Sequence, residues 1–106
     1  MKVSNMKVSN MESPKTEHSV PNQFIITTTE YWNDCGIEND VEYFQSYKSI
    51  IVKRTWRVNK WFVELDKNYW DYSKTTGKYR NIFLGETKKE TEKKIKSGEY
   101  ILTNLN

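Results

Sequence analysis

The sequence predicts an α+β fold in which a small antiparallel sheet, a hairpin plus additional strands, is covered on one face by two short helices. Two features of the chain carry this prediction. Through residues 47–66, apolar and polar side chains alternate with a period of two, which is typical of half-buried strands. Beyond Asn68 the apolar spacing changes to three and four residues, which is typical of amphipathic helices. A chain of 106 residues is expected to hold one domain.

Residues 1–22 are predicted to form a disordered tail, and residues 23–106 a single small domain. The tail repeats the pentapeptide MKVSN in tandem, and it is polar without an apolar period. The domain begins with "QFIITTTEYW" (residues 23–32), whose β-branched and aromatic residues favour a strand. An acidic loop that turns at Gly36 is expected over residues 33–40.

The hairpin is predicted from two alternating runs joined by a turn at Asn59 and Lys60. The alternation gives the first run one apolar face, made of Ile50, Val52, Trp56 and Val58. It places Ile51 on the opposite face, among basic and polar residues. The second run directs Trp61, Val63 and Leu65 to the apolar face, so this face is expected to form the floor of the core.

The first helix is predicted from a short aromatic and aliphatic stripe. Together with the preceding tyrosine, four residues are expected to close the core: Tyr72, Tyr79, Ile82 and Phe83. Thr75 or Thr76 is expected to cap the start of this helix, and Gly85 fits the left-handed position past its end.

The second helix is predicted to begin with a capping box, in which Thr87 and Glu90 satisfy each other's backbone amides. Only Thr91 and Ile95 are available for its inner stripe, and a last strand is expected from Tyr100.

Positive charge is concentrated in the second half of the chain. Residues 1–47 hold three Lys and seven acidic residues, a net −4, whereas residues 48–106 hold fourteen basic and seven acidic residues, a net +7. A basic half predicts an anionic partner. Six side chains are the candidates for partner binding: Tyr72, Lys74, Lys78, Arg80, Lys53 and Arg57. Of these, Lys74, Lys78 and Arg80 are expected on the outer surface of the first helix.

No catalytic, cofactor-binding or metal-ligating residues are predicted, and the protein is expected not to be an enzyme. His18 and Cys35 are the one histidine and the one cysteine, so no Cys–His pair or metal-ligand spacing is recognisable. Glu64 and Asp66 share one face of a strand and are expected to be solvated charges. The single cysteine and the lack of a long apolar run favour a reducing cytoplasm and no membrane contact.

Three motifs follow the hairpin: "WDYSKTT" (residues 70–76), "FLGE" (residues 83–86) and "KIKSGEY" (residues 94–100). Over about residues 43–106, they resemble a family of small uncharacterised proteins from phages, prophages and plasmids of low-GC Gram-positive bacteria. The resemblance implies an accessory protein of a mobile element, and such proteins are often compact inhibitors of host defence.

The function implied by this resemblance is a non-enzymatic inhibitor that binds a host protein or ribonucleoprotein complex, such as an anti-CRISPR acting on the Cas effector Cas9. The basic second half differs from the acidic surface of a DNA mimic. Two alternatives stay open at this point. One is a small basic nucleic-acid-binding regulatory protein, and the other is a phage structural or assembly factor.

Overall fold

The computed structural model describes residues 2–13, 15–16, 18–32 and 37–106. The strands are β1 (Lys2–Glu12), β2 (Ser19–Trp32), β3 (Ile37–Ser46), β4 (Ser49–Arg57), β5 (Lys60–Asp66) and β6 (Tyr100–Thr103). Two helices, α1 (Lys74–Leu84) and α2 (Lys88–Ser97), lie between β5 and β6. The strands form one sheet in sequence order, antiparallel except for the last pair. The predicted α+β fold is confirmed.

The parallel pairing of β5 with β6 is a consequence of the two helices. Val63 pairs with Tyr100 and Leu65 with Leu102, in parallel register. Parallel neighbours need a long crossover connection, and α1 and α2 provide it. Both helices contribute to one core, because Phe83 of α1 stacks on Phe44 of β3 at 5.9 Å and Ile95 of α2 packs against the same cluster.

The sheet extends into the segment that was predicted to be a disordered tail. Residues 2–12 form β1 and residues 19–22 begin β2, with Val8 opposite Ile26 and Ser9 opposite Ile25. The prediction is therefore wrong for these residues. No apolar period marks β1 because Met6 and Val8 of this edge strand are exposed, and Met11 is its one buried side chain among residues 6–12. The pairing of β1 therefore depends mainly on the backbone ladder.

A bulge in β1 accommodates the MKVSN duplication. The equivalent residues Lys2 and Lys7 pair with Tyr31 and Thr27, which are four positions apart on β2. Five residues of β1 thus run beside four of β2, since the register shifts between Ser4 and Lys7. Without the extra residue, a repeat of odd length would turn its second copy to the opposite face. Because of the bulge, equivalent residues of the two MKVSN copies pair with β2 residues that are an even number of positions apart.

Part of the segment that was predicted to be an acidic loop is a strand. Residues 37–40 belong to β3, where Asp40 pairs with Thr29 of β2 and with Trp56 of β4. The rest of the expected loop, which includes Cys35 and Gly36, lies outside the described residues.

The predicted hairpin is formed by β4 and β5, with its turn one residue earlier than expected. Val58 and Asn59 occupy the turn with positive φ angles of 50° and 63°, so Trp56 pairs with Trp61 across it. Val58 is therefore 92% exposed instead of facing the core. The two tryptophans contact each other at 5.1 Å at the open end of the apolar face.

A second bulge reverses the predicted orientation of Ile51. Phe44 pairs with Val52 while the next residue, Gln45, pairs with Ile50, so Ile51 is an additional residue in β4. A residue inserted in this way breaks the strict alternation of faces. Ile51 and Val52 are both buried in the core, and Ile50 is only partly buried. The prediction that Ile51 lies on the outer face is wrong.

The inner stripe of α1 differs from the predicted one in two of four residues. Tyr79 and Phe83 are buried as expected, whereas Ile82 is exposed and Tyr72 is 72% exposed. Tyr72 precedes the helix, since Ser73 is the N-cap and accepts a hydrogen bond from the Thr76 amide at 3.1 Å. The buried residues of α1 are Thr76, Gly77, Tyr79, Arg80 and Phe83.

Helix α2 follows the prediction closely. The Thr87–Glu90 capping box is present, and Gly85 and Gly98 take left-handed conformations after α1 and α2. Thr91 is fully buried, and the half-buried Ile95 packs against the core. Both ends of α2 are thus fixed by its own local sequence.

Candidate binding site

The structure does not bring the six predicted binding residues together. Tyr72, Lys74 and Lys78 lie at the start of α1 and are exposed. Lys53 follows the buried Val52 and therefore lies on the sheet face away from α1, where its ammonium is 5.8 Å from the Tyr43 ring. Arg57 lies farther along the same face of β4, with its guanidinium 5.7 Å from the ring of Phe62.

Arg80 is buried, with only 1% of its surface exposed, so its predicted place on the outer surface is wrong. Its Nη1 donates to the Trp70 carbonyl at 2.7 Å and to Asp71 Oδ1 at 3.1 Å, and its Nη2 donates to Asn81 Oδ1 at 2.9 Å. The guanidinium also lies 5.1 Å from the Trp70 ring. Because the fold uses these contacts, Arg80 positions the segment before α1 and does not form part of an exposed patch.

An aromatic groove of about 680 Å³ lies between the β3–β4 turn and the start of α1. Four aromatic residues line it: Phe24, Tyr47, Tyr69 and Tyr72. Its lining includes Lys48, several hydroxyl side chains and no carboxylate. The groove has the volume and the mixed apolar and polar lining of a small-molecule site.

Hydrogen bonds hold the two walls of this aromatic groove. On the sheet side, the Tyr47 amide donates to the Asn22 carbonyl at 2.7 Å, and Gln45 Nε2 donates to the Tyr47 carbonyl at 2.7 Å. Across the groove, the hydroxyls of Ser46 and Thr76 are 3.1 Å apart and tie β3 to α1. Since the walls are fixed by these bonds, the groove does not have to be assembled by its ligand.

A basic cleft of about 520 Å³ adjoins the aromatic groove, and Ser73 lines both. Its lining contains four cationic side chains, Lys74, Lys78, Arg80 and Lys88, and one carboxylate, that of Asp71, which gives a net +3. Asp71 is paired with two of these cations, through Arg80 Nη1 at 3.1 Å and Lys88 Nζ at 2.7 Å.

The carboxyl of Asp71 stays ionised because of these partners. Burial by itself raises the pKa of Asp71, but the hydrogen bonds from Lys88 and Arg80 outweigh it and lower the pKa below its usual value. With Asp71 compensated, Lys74 and Lys78 are left as cations without an ion pair in the described part of the chain.

Asp66, predicted to be a solvated charge, is a fully buried acceptor. Its Oδ2 accepts from the amides of Asn68 and Tyr69 at 3.0 Å each, and its Oδ1 accepts from the Leu105 amide at 2.8 Å. Burial would raise the pKa of Asp66, yet these hydrogen bonds together lower it. Asp66 thereby fixes the segment that leads to Tyr69 and Tyr72, behind the aromatic groove.

Several residues of the groove and the cleft were not found by sequence reasoning. Tyr47, Tyr69 and Lys88 are separated by about twenty residues or more along the chain and meet only in the folded protein. The available signal was the exposed pair Tyr47–Lys48 in a turn between two strands, which sequence analysis assigned to the strand.

Two kinds of feature are absent from the described residues. No group of three or more His, Cys, Asp or Glu side chains is close enough to hold a metal ion in the part of the chain that the structure describes. None of the helices in the described ranges combines the length and the apolar character needed to span a membrane.

Comparison with known proteins gives one match. No curated protein and no solved structure matches this chain. A family of unknown function, DUF8033, matches residues 6–99, which include strands β2 to β5, both helices and most of β1. Because this match spans well over half of the sequence, the chain belongs to the DUF8033 family.

Proposed function

We propose that this protein is a non-catalytic binding protein of a mobile genetic element, and that it inhibits a host defence ribonucleoprotein, with a Cas effector such as Cas9 as the first candidate. The observation that supports the proposal is a basic surface on the two helices. Five exposed lysines make up this helical basic surface: Lys74, Lys78, Lys89, Lys93 and Lys96. None of them forms an ion pair among the described residues.

A ribonucleoprotein is a suitable partner for this surface because guide RNA presents closely spaced phosphates. Residues 73–99 contain eight basic and four acidic residues, so the helical layer has a net charge of +4. Like charges that remain unpaired destabilise the isolated protein and are compensated when an anionic partner binds. The charge also accelerates association with such a partner, especially at low ionic strength.

A non-catalytic role is supported by the carboxylates with shifted pKa values, because their hydrogen bonds hold elements of the fold together. Glu86 is the main example, with a side chain that is 4% exposed. It accepts from Thr91 Oγ1 at 2.6 Å, from Tyr100 OH at 2.7 Å and from Lys94 Nζ at 2.8 Å. Burial by itself raises the pKa of Glu86, but the hydrogen bonds from these three donors outweigh burial and lower the pKa below its usual value. The carboxylate is therefore ionised, and its oxygens already accept hydrogen bonds from the fold. Such a group holds α2 to β6.

The test is a plasmid-interference assay in cells with an active CRISPR system, combined with a pull-down of the purified effector. Wild type is expected to protect the plasmid and to retain the effector. The variant Lys78→Glu, Lys93→Glu should lose both, because it reverses one charge on each helix. The matched control is Lys7→Glu, Lys60→Glu, with the same charge change on strands, and it should behave like wild type.

Two results would contradict the proposal. One is loss of plasmid protection in the control as well as in the helical variant, since this would show that net charge alone is responsible. The other is absence of protection by wild type. If that wild-type protein also forms large particles in light scattering, the phage assembly role becomes the better explanation.

A further inference from the structure

We propose that the aromatic groove and the basic cleft form one continuous site for single-stranded nucleic acid, in which a base occupies the groove and the neighbouring phosphates occupy the cleft. The two cavities adjoin at Ser73, which lines both and is exposed, so a ligand that spans them passes over this one small side chain. This site deepens the proposed function by naming the partner chemistry. The inference rests on the proposed function only because both place the contact with the partner on the side of the protein that carries the helices.

The groove has the chemistry of a base-stacking site. Tyr47 and Tyr72 are 57% and 72% exposed, so their rings are available to a ligand without unfolding the core. Tyr72 is held edge-to-face against Tyr69 at 5.6 Å, which limits its rotation. Exposed tyrosines bind unpaired bases by stacking, and this contact tolerates any base. The absence of a carboxylate from the lining removes repulsion of the adjacent phosphate.

The cleft has the chemistry of a phosphate site. Lys74 and Lys78 are four residues apart on α1, so they lie on one side of the helix, and Lys88 faces the same cleft from α2. The one acidic residue, Asp71, is already bonded to Arg80 and Lys88. An incoming phosphate therefore meets two lysines, Lys74 and Lys78, that do not have to break an ion pair with a carboxylate. Phosphate contacts of this kind give most of the affinity of non-specific nucleic-acid binding.

The juxtaposition favours a single strand over two other anionic partners. A duplex hides its bases in the stack, so it could use the cleft but not the groove. An acidic protein segment would also neutralise the cleft, but in the groove its carboxylates would meet four aromatic residues and a single cation, Lys48. Of these three partners, the single strand is the one that offers both an accessible flat ring and a phosphate on each short unit.

The experiment is fluorescence anisotropy of the purified full chain with labelled single-stranded RNA and DNA of mixed sequence, and with the corresponding duplexes. Wild type is expected to bind the single strands and to bind the duplexes at least tenfold more weakly. Tyr72→Ala should weaken single-strand binding by about tenfold or more, the effect of losing one stacked base. Tighter binding of RNA would assign the site to guide or messenger RNA, and tighter binding of DNA to a displaced strand.

Lys74→Ala, Lys78→Ala tests the cleft through salt dependence. Removing two phosphate contacts should reduce the slope of log K against log salt by about 1.4 for a single strand. The control Lys7→Ala, Lys60→Ala has the same charge change on strands, outside both the cleft and the helical basic surface, and the slope measured for this variant should stay close to that of wild type. Phe62→Ala, which truncates a half-exposed ring on β5 and leaves the groove intact, is the control for Tyr72→Ala.

The proposal is overturned if wild type binds neither RNA nor DNA single strands, or if it binds duplexes equally well. Equal losses in the cleft variant and in its control would also overturn it, since they indicate binding by net charge. These outcomes are independent of plasmid protection. If the protein protects plasmids but does not bind single strands, the proposed function is kept and this site is rejected. If it binds single strands but does not protect plasmids, this site is kept and the proposed function is rejected.

Discussion

Among the described residues, the two halves of the sheet bury equal numbers of polar side chains but different numbers of apolar ones. In the N-terminal half, β1 to β3, five buried side chains are polar: Gln23, Thr28, Glu30, Asn39 and Ser46. The same half buries three apolar side chains, Met11, Val41 and Phe44. In the helical half, β4 to β6 with α1 and α2, five buried side chains are also polar, whereas seven are apolar: Ile51, Val52, Val63, Leu65, Tyr79, Phe83 and Tyr100. The helical half therefore contains most of the core.

The halves also differ in how their buried polar groups are satisfied. In the N-terminal half, both amide atoms of Gln23, Thr28 Oγ1 and Glu30 Oε2 have no hydrogen-bond partner within the described structure, whereas Arg80 Nε is the one such atom in the helical half. A buried group without a partner costs about 1–3 kcal/mol. More of the stability therefore resides in the helical half, and the N-terminal half depends more on its backbone ladder.

The largest expected effect comes from removing the ring that joins α1 to the sheet. Phe83→Ala should lower the free energy of unfolding by about 3–5 kcal/mol, because it leaves a cavity against Phe44. The matched change in the N-terminal half is Val8→Ala, at an exposed position of β1, with an expected effect within about 0.5 kcal/mol. Urea denaturation measures both free energies of unfolding, and equal effects would contradict the difference between the two halves.

The second prediction concerns the buried carboxylate of the helical half. Asp66→Asn should cost about 2–3 kcal/mol at neutral pH, since the amide cannot accept all three backbone hydrogen bonds. The folded pKa of Asp66 is lowered, so its contribution is present above its unfolded pKa of about 4 and is lost as the pH falls through the folded value. Urea denaturation at neutral and acid pH should show a gap between variant and wild type that narrows in acid. A constant gap would contradict the role of the charge.

Two threonine variants of identical chemistry should have opposite effects. Thr91 Oγ1 lies 2.6 Å from Glu86 Oε2, so Thr91→Val should destabilise the protein by about 1–2 kcal/mol. Thr28 Oγ1 has no partner within the described structure, so Thr28→Val should stabilise it by about 1 kcal/mol. Melting temperatures of the two variants measure the signs. A loss of stability in both would show that Thr28 has a water partner, and would weaken the contrast between the halves.

The smallest expected effect tests the cap of α2. Thr87→Ala should lower stability by about 1 kcal/mol, because it removes the acceptor for the Glu90 amide. Lys93→Ala, on the exposed side of the same helix, should change stability by less than about 0.5 kcal/mol. Chemical denaturation followed by circular dichroism compares the two. Similar losses would reveal a structural role for Lys93 that the present contacts do not show.

The features that depend on residues a few positions apart could be predicted from the sequence alone. These are the Thr87–Glu90 capping box, the glycine after α1 and the alternation over residues 63–65 in β5. Each rests on a hydrogen bond, a φ angle or a side-chain direction within one turn or one strand, so the local residues are sufficient. Lys78 was predicted in the same way to lie on the outer surface of α1, whereas Tyr72, a binding candidate, was also expected to close the core and is 72% exposed.

Long-range contacts in the folded protein determine which side chains are buried and which residues lie close together. Arg80 took the inner position expected for Ile82 because Trp70, Asp71 and Asn81 satisfy its guanidinium there. Ile51 turned inward because β4 carries an additional residue opposite β3. The polar β1 became a strand because β2 supplies its hydrogen bonds. In each case the free energy depends on partners that are distant along the chain, and these partners do not appear in the local pattern.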